Sequence, residues 1–222
     1  VFDRLAPMDT ASLAFTALFC ALLVLGLVVR TVLASRQIRH VARHRGAVPA
    51  AFSDTISLEA HQKAANYTIT KTRYGLLETA IDAALLLGWT LLGGLDLLNR
   101  LLQGALGASL VQQLALLTAF TLIGGLLELP FSLWQTFRLE DRFGFNKMTP
   151  RLWLGDTLKS VLLGAALGLP LAAAILWLMA QAGNLWWLWA WGILTGWTLL
   201  LQFVFPTWIA PLFNKFEPLQ DV

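Results

Sequence analysis

The sequence predicts an all-α integral membrane protein with about five transmembrane helices and two long cytosolic helical loops. Three observations carry that reading. Of the 222 residues, 57% are apolar and 13% charged, and the mean hydropathy is +0.66, which leaves too little charge to cover a soluble surface. A hydrocarbon core about 30 Å thick needs roughly 20 helical residues per crossing, and several apolar runs have that length. The period-2 alternation of a membrane barrel is missing, so helices must satisfy the backbone within lipid.

The first run, Thr10 to Val29, is uncharged and closed by Arg30. It is too long for a signal-peptide core, and no small-residue cleavage site follows it. The helix is expected to continue past Arg30, because Arg36, Arg39, His40 and Arg43 repeat at the spacing of one helical face. Gly46 and Pro49 then stop it. Such a basic stripe suits side chains snorkelling to anionic headgroups. Ser57 reads as the N-cap of a second helix, with Glu59 and Lys63 as an i, i+4 pair. This helix runs through Tyr67 and Arg73 into a second span from about Thr79 to Leu98.

The third span is read from about Gly107 to Leu129, the fourth from Val161 to Ala180 and the fifth from Leu185 to Phe205. Between the third and fourth lies the second inner loop, Glu128 to Ser160. Pro130 is expected to limit the third helix, Gly144 to break the loop, and Thr149-Pro150 to start a new helix as N-cap and first residue. That leaves Glu140, Asp141, Arg142, Asn146 and Lys147 at the bend, with Phe137, Phe143 and Phe145 interleaved. Aromatics alternating with charges favour packing on further protein over solvation. Asp156 and Lys159 follow on adjacent turns.

Of the 16 Lys and Arg residues, eight fall between Arg30 and Arg73, five between Phe131 and Ser160, and one is Lys215. Only Arg4 and Arg100 remain for the other face. The positive-inside rule therefore puts the N-terminus outside and the C-terminus in the cytosol. The same rule accounts for the net charge of +3 without a nucleic-acid partner.

Few residues carry recognisable chemistry. His40 and His44 have the i, i+4 spacing of a zinc-binding helix, but Val41 stands where HExxH needs its glutamate, and Arg39, Arg43 and Arg45 oppose a dication. A polar helix face is the expected outcome. Cys20 is the single cysteine and lies mid-span, so it forms no intrachain disulfide and makes a poor nucleophile. No phosphate-binding glycine loop and no serine or cysteine triad context appears. Asp82 and Glu128 lie near the inner ends of their spans, where a carboxylate either reaches the interface or lines a water-filled cavity. Asp96 and Arg100 are expected to satisfy each other. Trp177, Trp186, Trp187, Trp189 and Trp191 read as an interfacial belt around the outer turn.

The segment "FRLEDRFGFNKMTP", preceded by "LPFSLW" and followed by "LGDTLK", resembles the membrane region of the type I CAAX prenyl proteases, a family of multispanning zinc metalloendopeptidases. "WIAPLFNKFEPL", Trp208 to Leu219, and "ISLEAHQKAANYTITKTRY", Ile56 to Tyr74, are also similar. The resemblance implies a seven-helix chamber filled with water, with a zinc site facing the cytosol. In that family the HExxH helix and a third, glutamate ligand follow the segment similar to "IAPLFNKFEPL". No HExxH occurs between Val1 and Val222.

Residues 1–222 are accordingly expected to form an N-terminal transmembrane domain that binds no cofactor and is inactive alone, the zinc belonging to the full-length enzyme. Its expected partners are the lipid bilayer, its own C-terminal catalytic domain, and a membrane-associated or prenylated peptide or protein substrate. Candidate residues for docking or for bordering the substrate groove are Glu140, Arg142, Asn146, Lys147, Asn214 and Lys215; Asp82 and Glu128 are candidates for the chamber lining. The Ala/Leu/Arg-rich style points to a bacterial inner membrane. The rival expectations are an inactive membrane adaptor binding partners through residues 131–160, and a transporter or channel subunit. For the latter, Gly93-Gly94 and Gly124-Gly125 are the hints of broken helices.

Overall fold

The computed structural model describes residues 9–213, and no strand occurs among them. Apolar side chains turn outward along the long helices, as with Phe15, 72% exposed, and Phe203, 77% exposed. In water this would be a liability; on a lipid-facing helix it is required. Four helices are each long and apolar enough to cross a membrane, and a broken helix pair brings the number to five.

The described residues form two compact units, 9–95 with 128–147 and 96–127 with 148–213. In the first unit, α1 (Thr10–His44) is one unbroken helix of 35 residues. Asp9 caps it by accepting from the Ser12 amide at 2.7 Å, and this hydrogen bond holds the Asp9 carboxyl below its ordinary value. The helix stops just ahead of Gly46 and Pro49. After a 3₁₀ turn at Ala50–Phe52, α2 (Leu58–Thr90) starts at the Ser57 cap, whose hydroxyl accepts from the Ala60 amide at 3.2 Å. α1 packs along α2. Glu59 and Lys63 do not pair: the ion pairs among the described residues are Asp96–Arg100 and Asp156–Lys159. Lys63 instead lies over the Phe145 ring, with Nζ 5.8 Å from its centroid, where a cation gains from the ring's negative face.

The expected second span, Thr79 to Leu98, is interrupted. α2 ends at Thr90, and α3 (Gly94–Leu106) begins after a turn. Two adjacent glycines make the break. Gly93 takes φ +79°, a region open to glycine at little cost. A Cβ on Gly94 would stand 2.8 Å from the Gly88 carbonyl oxygen, so the closed turn admits no side chain there. Asp96 and Arg100 form the ion pair expected of them.

Pro130 does not limit the third helix. α4 (Leu110–Trp134) runs through it and continues as a π-wound stretch, Gln135–Glu140. In hydrocarbon an unwound backbone has no water to solvate it, so losing one amide costs less than ending the helix, and a shift to i→i+5 winding absorbs the misfit. Gly124 and Gly125, the other suspected break, lie inside α4.

In the second unit, Ser109 caps α4 by accepting from the Gln112 amide at 3.2 Å. Gln112 is 3% exposed, and its side-chain amide donates to Asn99 Oδ1 at 2.8 Å. This is the pairing a buried amide demands. α5 (Pro150–Gln181) starts at the Thr149 cap with Pro150 at its first position, as expected, and packs against α6 (Trp186–Val204). A π-wound stretch, Phe205–Ile209, and a 3₁₀ turn, Ala210–Leu212, follow. Trp177, Trp187, Trp189 and Trp191 are exposed, as rings in an interfacial belt would be.

Candidate functional site

Asp82 and Glu128, nearly fifty residues apart in the chain, border one cavity of 420 Å³. Glu78, Ser132, Gln135 and Thr136 border it too, with Ile81 and Phe131 as its apolar members. Helical geometry explains the gathering. Glu78 and Asp82 are one turn apart on α2, while Glu128, Ser132 and Gln135 repeat at i, i+4, i+7 down the end of α4 into the π stretch. Three carboxylates, two hydroxyls and an amide thus meet around one space at the inner ends of the spans. Such groups face water or protein rather than lipid. Sequence reasoning missed Glu78, although its i, i+4 relation to Asp82 was the signal that could have found it.

Beside this cavity α2 and α4 are bolted together. The Tyr74 hydroxyl donates to the Phe131 carbonyl oxygen at 2.7 Å, and the Tyr74 ring stacks on Trp134 at 4.6 Å between centroids. A second, apolar cavity of 530 Å³ opens alongside, bordered by Thr70, Arg73, Tyr74, Leu77, Pro130, Phe131 and Trp134.

The bend that follows is closed by its own backbone. The Glu140 carbonyl accepts from the amides of Phe145, at 2.9 Å, and Asn146, at 3.3 Å, while the Gly144 amide donates to Asp141 at 2.9 Å. Gly144 takes φ +74° to allow the reversal. Leu139 and Phe143 are 2% and 8% exposed. Phe143 and Phe145 both set edges against Tyr67 of α2, with centroids 5.3 and 4.9 Å away. Part of the protein on which these aromatics pack is therefore α2 of the same chain. Arg142 and Lys147 are exposed, and Glu140 and Asn146 half-buried. The Arg142 guanidinium lies 5.8 Å from the Phe143 ring centroid. The four candidate residues of the bend thus share one short segment rimmed by charge, whereas Asn214 and Lys215 lie outside the described residues.

In the second unit, Lys159 joins the start of α5 to the end of the described chain. Its Nζ bonds Asp156 Oδ1 and the Leu212 carbonyl oxygen, each at 3.1 Å, and lies 5.6 Å from the Phe213 ring centroid. Two of the motifs that carry the family resemblance, "LGDTLK" and "IAPLF", therefore touch.

The three histidines offer no zinc site. His44 Nδ1 is bonded to the His40 carbonyl oxygen at 2.8 Å and His61 Nε2 to the His44 carbonyl oxygen at 3.1 Å. Because a carbonyl only accepts, each of these nitrogens carries a proton, which leaves the lone pair on the ring's other nitrogen. No group of three or more His, Cys, Asp or Glu side chains among the described residues could hold a metal ion. The residues present do not fit the zinc that the resemblance implies.

The chain is similar to known proteins over most of its length. The family described as "CAAX prenyl protease N-terminal, five membrane helices" matches residues 37–215. The CAAX prenyl protease 1 homolog of Caenorhabditis elegans is 32% identical over 185 residues, which are 82% of this chain and 41% of the relative. The homolog of Oryza sativa subsp. japonica is 30% identical, covering 82% and 45%, and that of Homo sapiens is 29% identical, covering 86% and 42%. The crystal structure of S. mikatae Ste24p superposes with a TM-score of 0.81 at 27% identity, over 91% of this chain and 48% of that one. The chain thus spans less than half the length of these proteins. Matched in sequence and in fold along the stretch that includes both the carboxylate-lined cavity and the bend, it belongs to the CAAX prenyl protease family as a multi-pass N-terminal membrane region.

Proposed function

We propose that residues 1–222 serve as one N-terminal membrane domain of a zinc metalloendopeptidase that cleaves membrane-associated or prenylated peptides. The domain forms part of a chamber wall and holds the cytosol-facing catalytic region in register. The observation that carries this reading is the cavity shared by Glu78, Asp82 and Glu128, because carboxylates gathered around one space at the inner ends of the spans suit a chamber wall better than a lipid-facing surface. Zinc and its ligands belong to the region that follows in the family's longer members. This chain contributes shape, charge and position: the cavity presents carboxylates and amides to a peptide, and the rigid bend offers Glu140, Arg142, Asn146 and Lys147 to the catalytic region. Asn214 and Lys215 are proposed to act alongside them. The N-terminus lies outside and the C-terminus in the cytosol, by the asymmetry of basic residues. The relatives compared above are eukaryotic and lend no support to a bacterial inner membrane.

In a Cys20→Ala background, Glu78→Cys, Asp82→Cys and Glu128→Cys should each react with a water-soluble maleimide about as fast as Lys147→Cys. Lys147→Cys itself should label only from the cytosolic side, and Arg100→Cys only from outside. Unreactive cysteines at 78, 82 and 128 would remove the chamber. A full-length family enzyme carrying these residues as its membrane region should cleave a prenylated peptide; a chimera that folds and cleaves nothing would favour an inactive adaptor.

A further inference from the structure

α1 leaves the hydrocarbon without a break, and its cytosolic end is sorted into two faces. Ala34, Ser35, Ile38 and Val41 are half-buried at the spacing of one helical face, on a helix that packs along α2. Arg36, Arg39, His40, Arg43 and His44 are exposed, and with Gln37 they border one concavity of 510 Å³. No acidic residue occurs anywhere from Thr10 to Ser53, and neither ion pair among the described residues involves these arginines. The His44 Nδ1–H donates to the His40 carbonyl, and the two imidazoles stand 4.3 Å apart, lying beside the guanidiniums as one surface.

Position says what covers this face. Arg30 closes the uncharged run and the apolar Val32, Leu33 and Ala34 follow it, so the hydrocarbon boundary falls between Arg30 and Ser35. From Arg36 to His44 the helix rises roughly 12 Å at 1.5 Å per residue. That is comparable to the headgroup layer plus a Debye length of about 8 Å. Arginine side chains on such a stretch reach back to the phosphate plane while their stems lie on the helix. A guanidinium matches phosphate oxygens with two parallel N–H donors.

We propose that this face of α1 is a binding site for an anionic phospholipid, whose phosphate-bearing headgroup is held by Arg36, Arg39 and Arg43. The site would fix the depth and rotation of α1, and through α1 the placement of α2, and it does not depend on the proteolytic reading. An acidic protein surface would meet the same charges, but nothing requires such a surface to lie at the hydrocarbon boundary, where a headgroup necessarily does.

The test is native mass spectrometry of the protein released from phosphatidylcholine nanodiscs containing phosphatidylserine or a phosphatidylinositol bisphosphate. Each arginine at a membrane surface contributes about fivefold to anionic-lipid affinity, so Arg36→Gln/Arg39→Gln/Arg43→Gln together should lower retention of anionic lipid on the order of a hundredfold. A control with Arg138→Gln, Lys147→Gln and Arg151→Gln should retain it. The variant Arg36→Lys/Arg39→Lys/Arg43→Lys, which keeps the charge on the same helix, should bind with intermediate strength. Equal retention by the glutamine variant and wild type would overturn the site. So would an equal loss in the control, which would mean diffuse charge, or a face that binds a soluble acidic peptide as tightly as it binds lipid.

Discussion

The Tyr74 hydroxyl reaches the main-chain carbonyl of Phe131, 57 residues further along, at 2.7 Å. That carbonyl lies one residue past Pro130 and just ahead of the π-wound Gln135–Glu140. In this region the α-helical ladder is already short of an amide. A side chain from α2 thus supports α4 where its own backbone hydrogen bonding is weakest, directly beside the carboxylate-lined cavity.

Tyr74→Phe keeps the ring stacked on Trp134 and removes the hydroxyl, and this bond with it. It should destabilise the protein by about 1 kcal/mol, read as a lower midpoint of thermal unfolding in detergent. Tyr74→Ala, which also removes the stacking, should cost more. If Tyr74→Phe unfolds like wild type, the bond contributes nothing to stability.

The buried and exposed rings of the bend should behave differently. Phe143 is 8% exposed and Phe145 53%, so Phe143→Ala should cost roughly 3 kcal/mol or more. Phe145→Ala should stay nearer the roughly 0.5–1.5 kcal/mol of a single aromatic pair. Unfolding midpoints of the two variants measured side by side test this ranking.

The charged rim should matter to catalysis and little to folding. In a full-length enzyme bearing this membrane region, Arg142→Ala or Asn146→Ala should lower turnover about tenfold or more. Loss of one buried, charge-assisted contact is worth about 1.5–3 kcal/mol, and a misplaced site is sensitive to shifts of an ångström. Expression and membrane insertion should be unchanged. Full activity of both variants on a peptide substrate would make the bend an ordinary solvated loop.

Alanine at three glycines should separate strain from propensity. Gly93→Ala places a side chain at φ +79° and should cost about 1 kcal/mol. Gly94→Ala, meeting the Gly88 carbonyl at 2.8 Å, should cost more, because the obstacle is backbone. Gly124→Ala has nothing within 4 Å of its new carbon and should stabilise α4 by about 0.5–1 kcal/mol. Circular-dichroism melts of the three variants check both the signs and the order.

Much of the architecture was legible because its determinants are local. Ser57 and Thr149 act as N-caps, Pro150 opens α5, Gly144 reverses the bend, and Asp96 pairs with Arg100. Each of these depends on residues within about a turn of one another. The grouping of Asp82 with Glu128 was suspected only from membrane depth, and the distance between them was invisible until α2 and α4 were side by side.

By itself, the sequence determined the class of protein, the long apolar helices, the caps and the family resemblance. Apolar length, capping chemistry and motif order are all written within short stretches of chain. Only the tertiary structure decided that Pro130 would be carried through the helix, that Glu59 would lose Lys63 to the face of Phe145, that Tyr67 would receive Phe143 and Phe145, and that Glu78 would join Asp82 and Glu128 at one cavity. These outcomes depend on which helices become neighbours. That choice is made by the summed packing of whole faces and by the lack of water for an unwound backbone, and neither quantity belongs to any one segment.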